Sequence, residues 1–233
     1  MQNPAIHLTF DKKLDQRVAW DFFNNPKHGG CDFWKERALA HHTKLLEIKL
    51  AKNPKKFLNA YISEFYRSHS EEIKKHSKKT SSYLNQTQDD FFKIIDKIFN
   101  HHTWPKKKYT GLFSIFDFCP RFLDSGKFQI FLYDKRNMQI FTIFHEMLHF
   151  IFYDFAKKIF PEKLKNAATD KGKFWDLSEV FNAVIQDTDD FIKLHGKIKG
   201  LGYLDHKRLI LKGKKLWKEN QDLNQWITGM MNN

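Results

Sequence analysis

The run from Met138 to Ala156 constrains this chain more than any other stretch. Ile140, Phe141, Ile143, Phe144, Met147, Leu148, Phe150, Ile151 and Phe152 put apolar side chains nearly all round a helix, the pattern of a helix buried on every side. Three residues break that pattern: His145, Glu146 and His149. The run is about long enough to span a bilayer, but these residues and Asp154 lie across its middle, so a buried helix explains it better and no membrane partner is expected. Two imidazoles and a carboxylate inside such a helix need partners, because an unpaired buried polar group costs several kcal/mol.

Residues four apart share one face of a helix, so His145 and His149 can reach a single zinc ion while Glu146, one position round, addresses water beside it. Zinc satisfies all three polar groups at once. A catalytic zinc also needs a third protein ligand and an open position. The extended metzincin spacing would put that ligand at 155, which is Phe155, and helical continuation turns Asp154 away. Downstream of His149 the glutamates are Glu162, Glu179 and Glu219. Glu162 follows Pro161 at a loop end, and Glu219 sits among charged residues of a terminal helix, where a solvated face is the default. Glu179 lies early in an apolar helix and is the favoured third ligand, with a capping box from Asp176 to Glu179 as the competing explanation. His195 and His206 are the rival ligands. The adjacent pairs His41-His42 and His101-His102 point in different directions on a helix and fit surface or turn positions.

The rest of the chain reads as helices followed by a mixed region. Asp11 caps a helix through Leu14, Val18 and Phe22 that Asn24-Asn25-Pro26 ends; a second runs from about Asp32 to Leu50; Asn53-Pro54 opens a third through Phe57, Tyr61 and Phe65. Ser68 to Thr87 reads as polar and loosely connected, before an amphipathic helix from Asp89 to Asn100. Tyr109 to Tyr133 alternates aromatic and polar residues around Pro120 and the Leu123-Asp124-Ser125-Gly126 turn, which predicts two neighbouring antiparallel strands. The second strand, Phe128 to Tyr133, is expected beside the histidine helix with an edge open to an extended peptide. Further helices are expected from about Trp175 to Gln186 and near Asp205 to Lys218.

Composition narrows the class. The 233 residues include 24 Phe and only two cysteines, Cys31 and Cys119, so there is ample core material but no disulfide framework or Cys-rich zinc ribbon. A reducing, cytoplasmic setting is the expectation. The net charge of +13 comes from 34 Lys and only six Arg against 27 acidic residues. Arg is the residue favoured for bidentate phosphate and base recognition, so a solvated surface is preferred over a nucleic-acid interface.

A His-Glu-x-x-His helix followed some tens of residues later by a helix bearing a glutamate ligand resembles the gluzincin clan of zinc metallopeptidases, in a reduced thermolysin-like form. The resemblance runs from Phe113 to Asn182. It places His145, His149 and Glu179 on the metal-ligand positions and Glu146 on the general-base position. The implied fold is α+β: a minimal zincin-like metallopeptidase domain with a small antiparallel or mixed sheet and an active-site helix over 105–233, preceded by a mainly helical region over 1–104. The implied activity is hydrolysis of a peptide or protein substrate by a zinc-activated water. Glu146 takes the proton and later delivers it to the leaving amine. Tyr203 and His206 are the candidates for stabilising the oxyanion. Position 183 is Ala where the thermolysin-like enzymes carry an acidic residue, and Asn182 is instead placed to accept a bond from a ligand imidazole. The stretch Leu177 to Asn182 is also similar to small metallopeptidases of the anti-repressor type. A basic nucleic-acid-associated protein with a structural metal is the alternative, as is an anti-repressor-like regulatory protease.

Overall fold

The computed structural model describes residues 3–28, 30–200 and 202–232. It begins with β1 (Ala5–Phe10), α1 (Lys12–Asn24), the short hairpin strands β2 (Lys27–His28) and β3 (Cys31–Asp32), a π-helical turn (Trp34–Ala38), α2 (Leu39–His41) and a 3-10 segment (Thr43–Leu50). Next come α3 (Pro54–Ser68), α4 (Ser70–Ile98), β4 (Lys108–Ser114), β5 (Arg121–Phe122), β6 (Lys127–Phe131) and α5 (Arg136–Ile159). The remainder is α6 (Pro161–Leu164), α7 (Gly172–Ile185), α8 (Asp189–His195), α9 (Lys207–Asn220) and α10 (Leu223–Met231). The class is therefore α+β with a small mixed sheet. Among the described residues, no helix is long and apolar enough to cross a membrane.

The chain forms two compact units that interleave along the sequence. One contains residues 6–83 and 109–139; the other contains 1–5, 84–108 and 140–233.

In the first of these units, the sheet has the order β1-β4-β6-β5. The expected antiparallel pair is in fact parallel: β4 and β6 run the same way, from Thr110 opposite Lys127 to Ser114 opposite Phe131. The reason lies between them. β5 and β6 form the antiparallel pair, turning through Leu123–Ser125 and the left-handed Gly126 (φ 64°), so the chain has already reversed once before β6 begins. β6 is not the open edge expected for Phe128 to Tyr133, because β4 lies on one side and β5 on the other; Gln129 N–H is also taken by Pro120 O at 2.9 Å. The sheet packs tightly at Gly111, where a Cβ would lie 2.6 Å from Leu8 Cδ2 and 2.9 Å from Ile130 Cδ1.

The helix caps read from sequence are present in this unit. Asp11 Oδ1 accepts from Leu14 N–H and Asn53 Oδ1 from Lys56 N–H, both at 3.0 Å. The expected helix from Asp32 to Leu50 is instead broken into π, α and 3-10 pieces around His42, whose backbone leaves the helical region at φ −131°. His42 is not a surface residue. Its Nε2–H donates to Ile115 O at 2.7 Å while Nδ1 accepts from Tyr61 OH at 2.8 Å, and these long-range bonds outweigh the local preference for a continuous helix. A second buried polar group, Asp15, accepts from Tyr66 OH (2.7 Å), Ile115 N–H (3.1 Å) and Gln129 Nε2–H (2.6 Å).

The other unit is helical. The segment expected to be loose before Asp89 is instead part of one continuous helix, α4, of 29 residues, whose turns from Leu84 on belong to this unit. The later part of α4 packs on α5, with Phe91 stacked on Phe144 at 4.2 Å. α5 packs on α7, with Phe152 stacked on Phe181 at 4.6 Å, and Phe181 in turn meets Trp226 of α10 at 5.5 Å. α9 crosses α7 at Gly213, where a Cβ would lie 3.0 Å from Val184 Cγ2 and 3.2 Å from Trp226 Cζ2. The Trp226 indole N–H donates to Gly213 O at 2.9 Å and fixes α10 against α9.

Candidate metal centre

Helical spacing on α5 puts His145 and His149 on one face, with their Nε2 atoms 3.0 Å apart. Glu179 reaches them from α7: Oε2 lies 3.3 Å from His145 Nε2, and Oε1 lies 3.3 Å from His149 Nε2. Among the described residues this is the one group of three or more His, Cys, Asp or Glu side chains whose ligand atoms converge, all within 4.8 Å of one another. Four bonds of 2.0–2.1 Å in a tetrahedron have edges of about 3.3 Å, so two imidazoles and a carboxylate at these separations suit one zinc ion. The His149 side chain is fully buried, and its ring stacks on Tyr153 at 5.7 Å, whereas that of His145 is 20% exposed and gives the site its solvent side. Burial alone pushes the Glu179 carboxyl up, but the charges and hydrogen bonds of His149 and His145 outweigh it and hold the group well below the usual carboxylate range.

α7 starts at Gly172, with Lys171 at the cap position, so Asp176 and Glu179 lie inside the helix and no capping box links them. The rival ligands are elsewhere. His195 Nδ1–H donates to Gly196 O at 2.7 Å and its ring lies against Phe141; burial lowers its pKa. His206 Nε2 pairs with Asp176 Oδ1 at 2.9 Å. Glu162 and Glu219 are exposed. Asp154 is held by His102 Nε2 and Lys158 Nζ, both at 2.8 Å.

Two further residues hold the candidate-ligand imidazoles, and both were missed in the sequence. Gln186 Nε2–H donates to Phe141 O at 3.0 Å; this orients the amide so that Oε1 accepts from His145 Nδ1–H, also at 3.0 Å. Ser178 Oγ lies 2.6 Å from His149 Nδ1. Asn182, expected to bond a ligand imidazole, instead donates from Nδ2 to the backbone carbonyl of His145 at 2.9 Å. Ser178, Asn182 and Gln186 recur every four residues on a helix that is otherwise largely apolar, and that stripe was the available signal. Facing α5, they pair 178 with 149, 182 with 145 and 186 with 141, which is an antiparallel helix register.

Glu146, next to His145 in sequence, is buried on α5 and is not one of the convergent ligands. Tyr203 and His206 come to the N-terminal half of α7. Trp175 lies 5.1 Å from the Tyr203 ring and 5.5 Å from that of His206, and Asp176, the partner of His206, is one turn before Glu179. Both residues are outside the ligand trio. No known protein family, curated protein or solved structure matches this chain.

Proposed function

We propose that this chain is a zinc-dependent peptidase of minimal zincin-like form. The observation that carries the reading is the convergence of His145, His149 and Glu179 from two buried helices, with the imidazoles bonded by Ser178 on α7 and by Gln186 at its C-terminal cap. These three side chains would hold the ion, the ligand number that leaves a catalytic zinc one position for water. Zinc, when bound, supplies a Lewis acid that acidifies water and polarises a carbonyl oxygen. Glu146, adjacent in sequence to the first ligand and sheltered from bulk water, serves as the base that takes the proton and returns it to the leaving amine. The bond to Asp176 fixes the ring of His206, which makes it a better candidate for polarising the substrate carbonyl than Tyr203.

The test combines metal analysis with turnover. The purified chain is expected to hold about one zinc ion and to cleave fluorogenic peptide libraries. Glu146→Gln should retain the metal while losing about 10²- to 10⁴-fold in rate. A wild-type protein that stays metal-free at micromolar zinc ends this reading.

A further inference from the structure

We propose that Gln186 is a positioning residue of the metal centre: it holds the His145 imidazole by its Nδ1–H, as Ser178 holds the His149 ring through Nδ1, and so sets the affinity of the site. The inference rests on the metal-centre reading above and adds to it what controls loading. Gln186 is 1% exposed and cannot turn its amide without losing Phe141 O, so its oxygen must face His145 Nδ1. A neutral imidazole with its proton on Nδ1 presents a bare lone pair at Nε2. The two Nε2 atoms, 3.0 Å apart and each 3.3 Å from a carboxylate oxygen, are held together by a cation or by protons among them. The outer partners therefore turn both Nε2 atoms, with the two carboxylate oxygens, toward one point where a cation can take the place of those protons.

Both outer partners, an amide and a hydroxyl, are uncharged. A carboxylate in the place of Gln186 would raise the basicity of His145 and tighten the site. The inner set carries one negative charge against two positive charges on zinc, so this centre is built for weaker, more readily exchanged metal than one backed by carboxylates.

Zinc competition against a chromophoric chelator, on the full-length wild type and on Gln186→Leu, Gln186→Glu and Ser178→Ala, tests the inference without turnover. Gln186→Leu and Ser178→Ala are each expected to weaken zinc binding by about 10- to 100-fold. Gln186→Glu keeps the acceptor and gives up the donor to Phe141 O, so it should match or exceed the wild type. Thermal unfolding of each metal-free form runs alongside, and if Gln186→Leu fails to fold, Ser178→Ala and Gln186→Glu still decide the matter. Wild-type affinity in Gln186→Leu or Ser178→Ala overturns the inference. So does a Gln186→Glu protein that binds weakly while melting normally, since an acceptor at position 186 would then not be what sets the affinity. A wild type that binds no zinc removes the metal reading itself, an outcome distinct from variants that merely equal it.

Discussion

Asp15 is the residue whose burial has the most direct thermodynamic consequence. Burial pushes its carboxyl up from 3.8 to about 6, against the opposing bonds from Tyr66, Ser114, Ile115 and Gln129. Between those two values the folded chain keeps a proton that the unfolded chain releases. The resulting stability is fully present below about pH 4 and is lost as pH rises through about 6, amounting to about 3 kcal/mol. Urea unfolding of the wild type and of Asp15→Asn from about pH 3 to about pH 8 checks this: the stability difference between the two should drift in that direction and level off above about pH 7. A constant difference would show that the carboxyl titrates normally. Asp15 was invisible in the sequence because its partners lie 51, 100 and 114 positions away. His145, Glu146 and His149 were legible for the opposite reason: their spacing and their apolar setting are both local. Glu179 could be inferred from the same apolar context, while Ser178 and Gln186 were passed over because a polar stripe on a buried helix has no meaning until its partner helix is known.

Among the elements, α5 and α7 could be read from periodicity, and the capped starts of α1 and α3 from single residues. The sheet could not. Whether β4 and β6 are parallel depends on where the intervening chain reverses, and the two-residue β5 that does so leaves almost no pattern. β1, α8 and α10 are short enough that tertiary packing rather than local preference decides them. Packing between elements gives two further predictions. Phe181 contacts Phe99, Phe152 and Trp226, so Phe181→Ala is expected to cost about 3–5 kcal/mol, measured by urea unfolding of the metal-free protein. At Gly213 a methyl gains about 1 kcal/mol of helix propensity but presses on the buried Val184 and Trp226, where overpacking costs about 1–3 kcal/mol. Gly213→Ala should therefore be neutral to destabilising, and a clear gain in the unfolding midpoint would show that α9 moves away from α7 at no cost.

The interleaving of the two units shapes how the whole chain can be handled. A cut near 104, where the change in sequence texture invites one, separates 84–104 from the helices they pack on. Phe91 then leaves Phe144, and Phe99 leaves Phe155 and Phe181. The fragment 105–233 is expected to lack cooperative unfolding, whereas 84–233 restores those contacts. Cooperative melting of 105–233 followed by circular dichroism would contradict this. Zinc should also stabilise the intact chain by mass action, about 2.7 kcal/mol at a hundredfold excess over the dissociation constant, seen as a concentration-dependent rise in melting temperature.

The register between α5 and α7 also supplies a means of recognising kin. Since 178, 182 and 186 meet 149, 145 and 141 in step, the helices must keep their internal spacing, while the connection between them can change length freely. The signature is therefore His-Glu-x-x-His, a variable gap that is 28 residues in this chain, then Ser-Glu-x-x-Asn-x-x-x-Gln. A one-residue insertion inside either half rotates the remaining turns of that helix by about 100° and uncouples ligands from their supports. A distant chain that carries both halves intact is expected to pair its two helices in the same register, however little else of its sequence agrees.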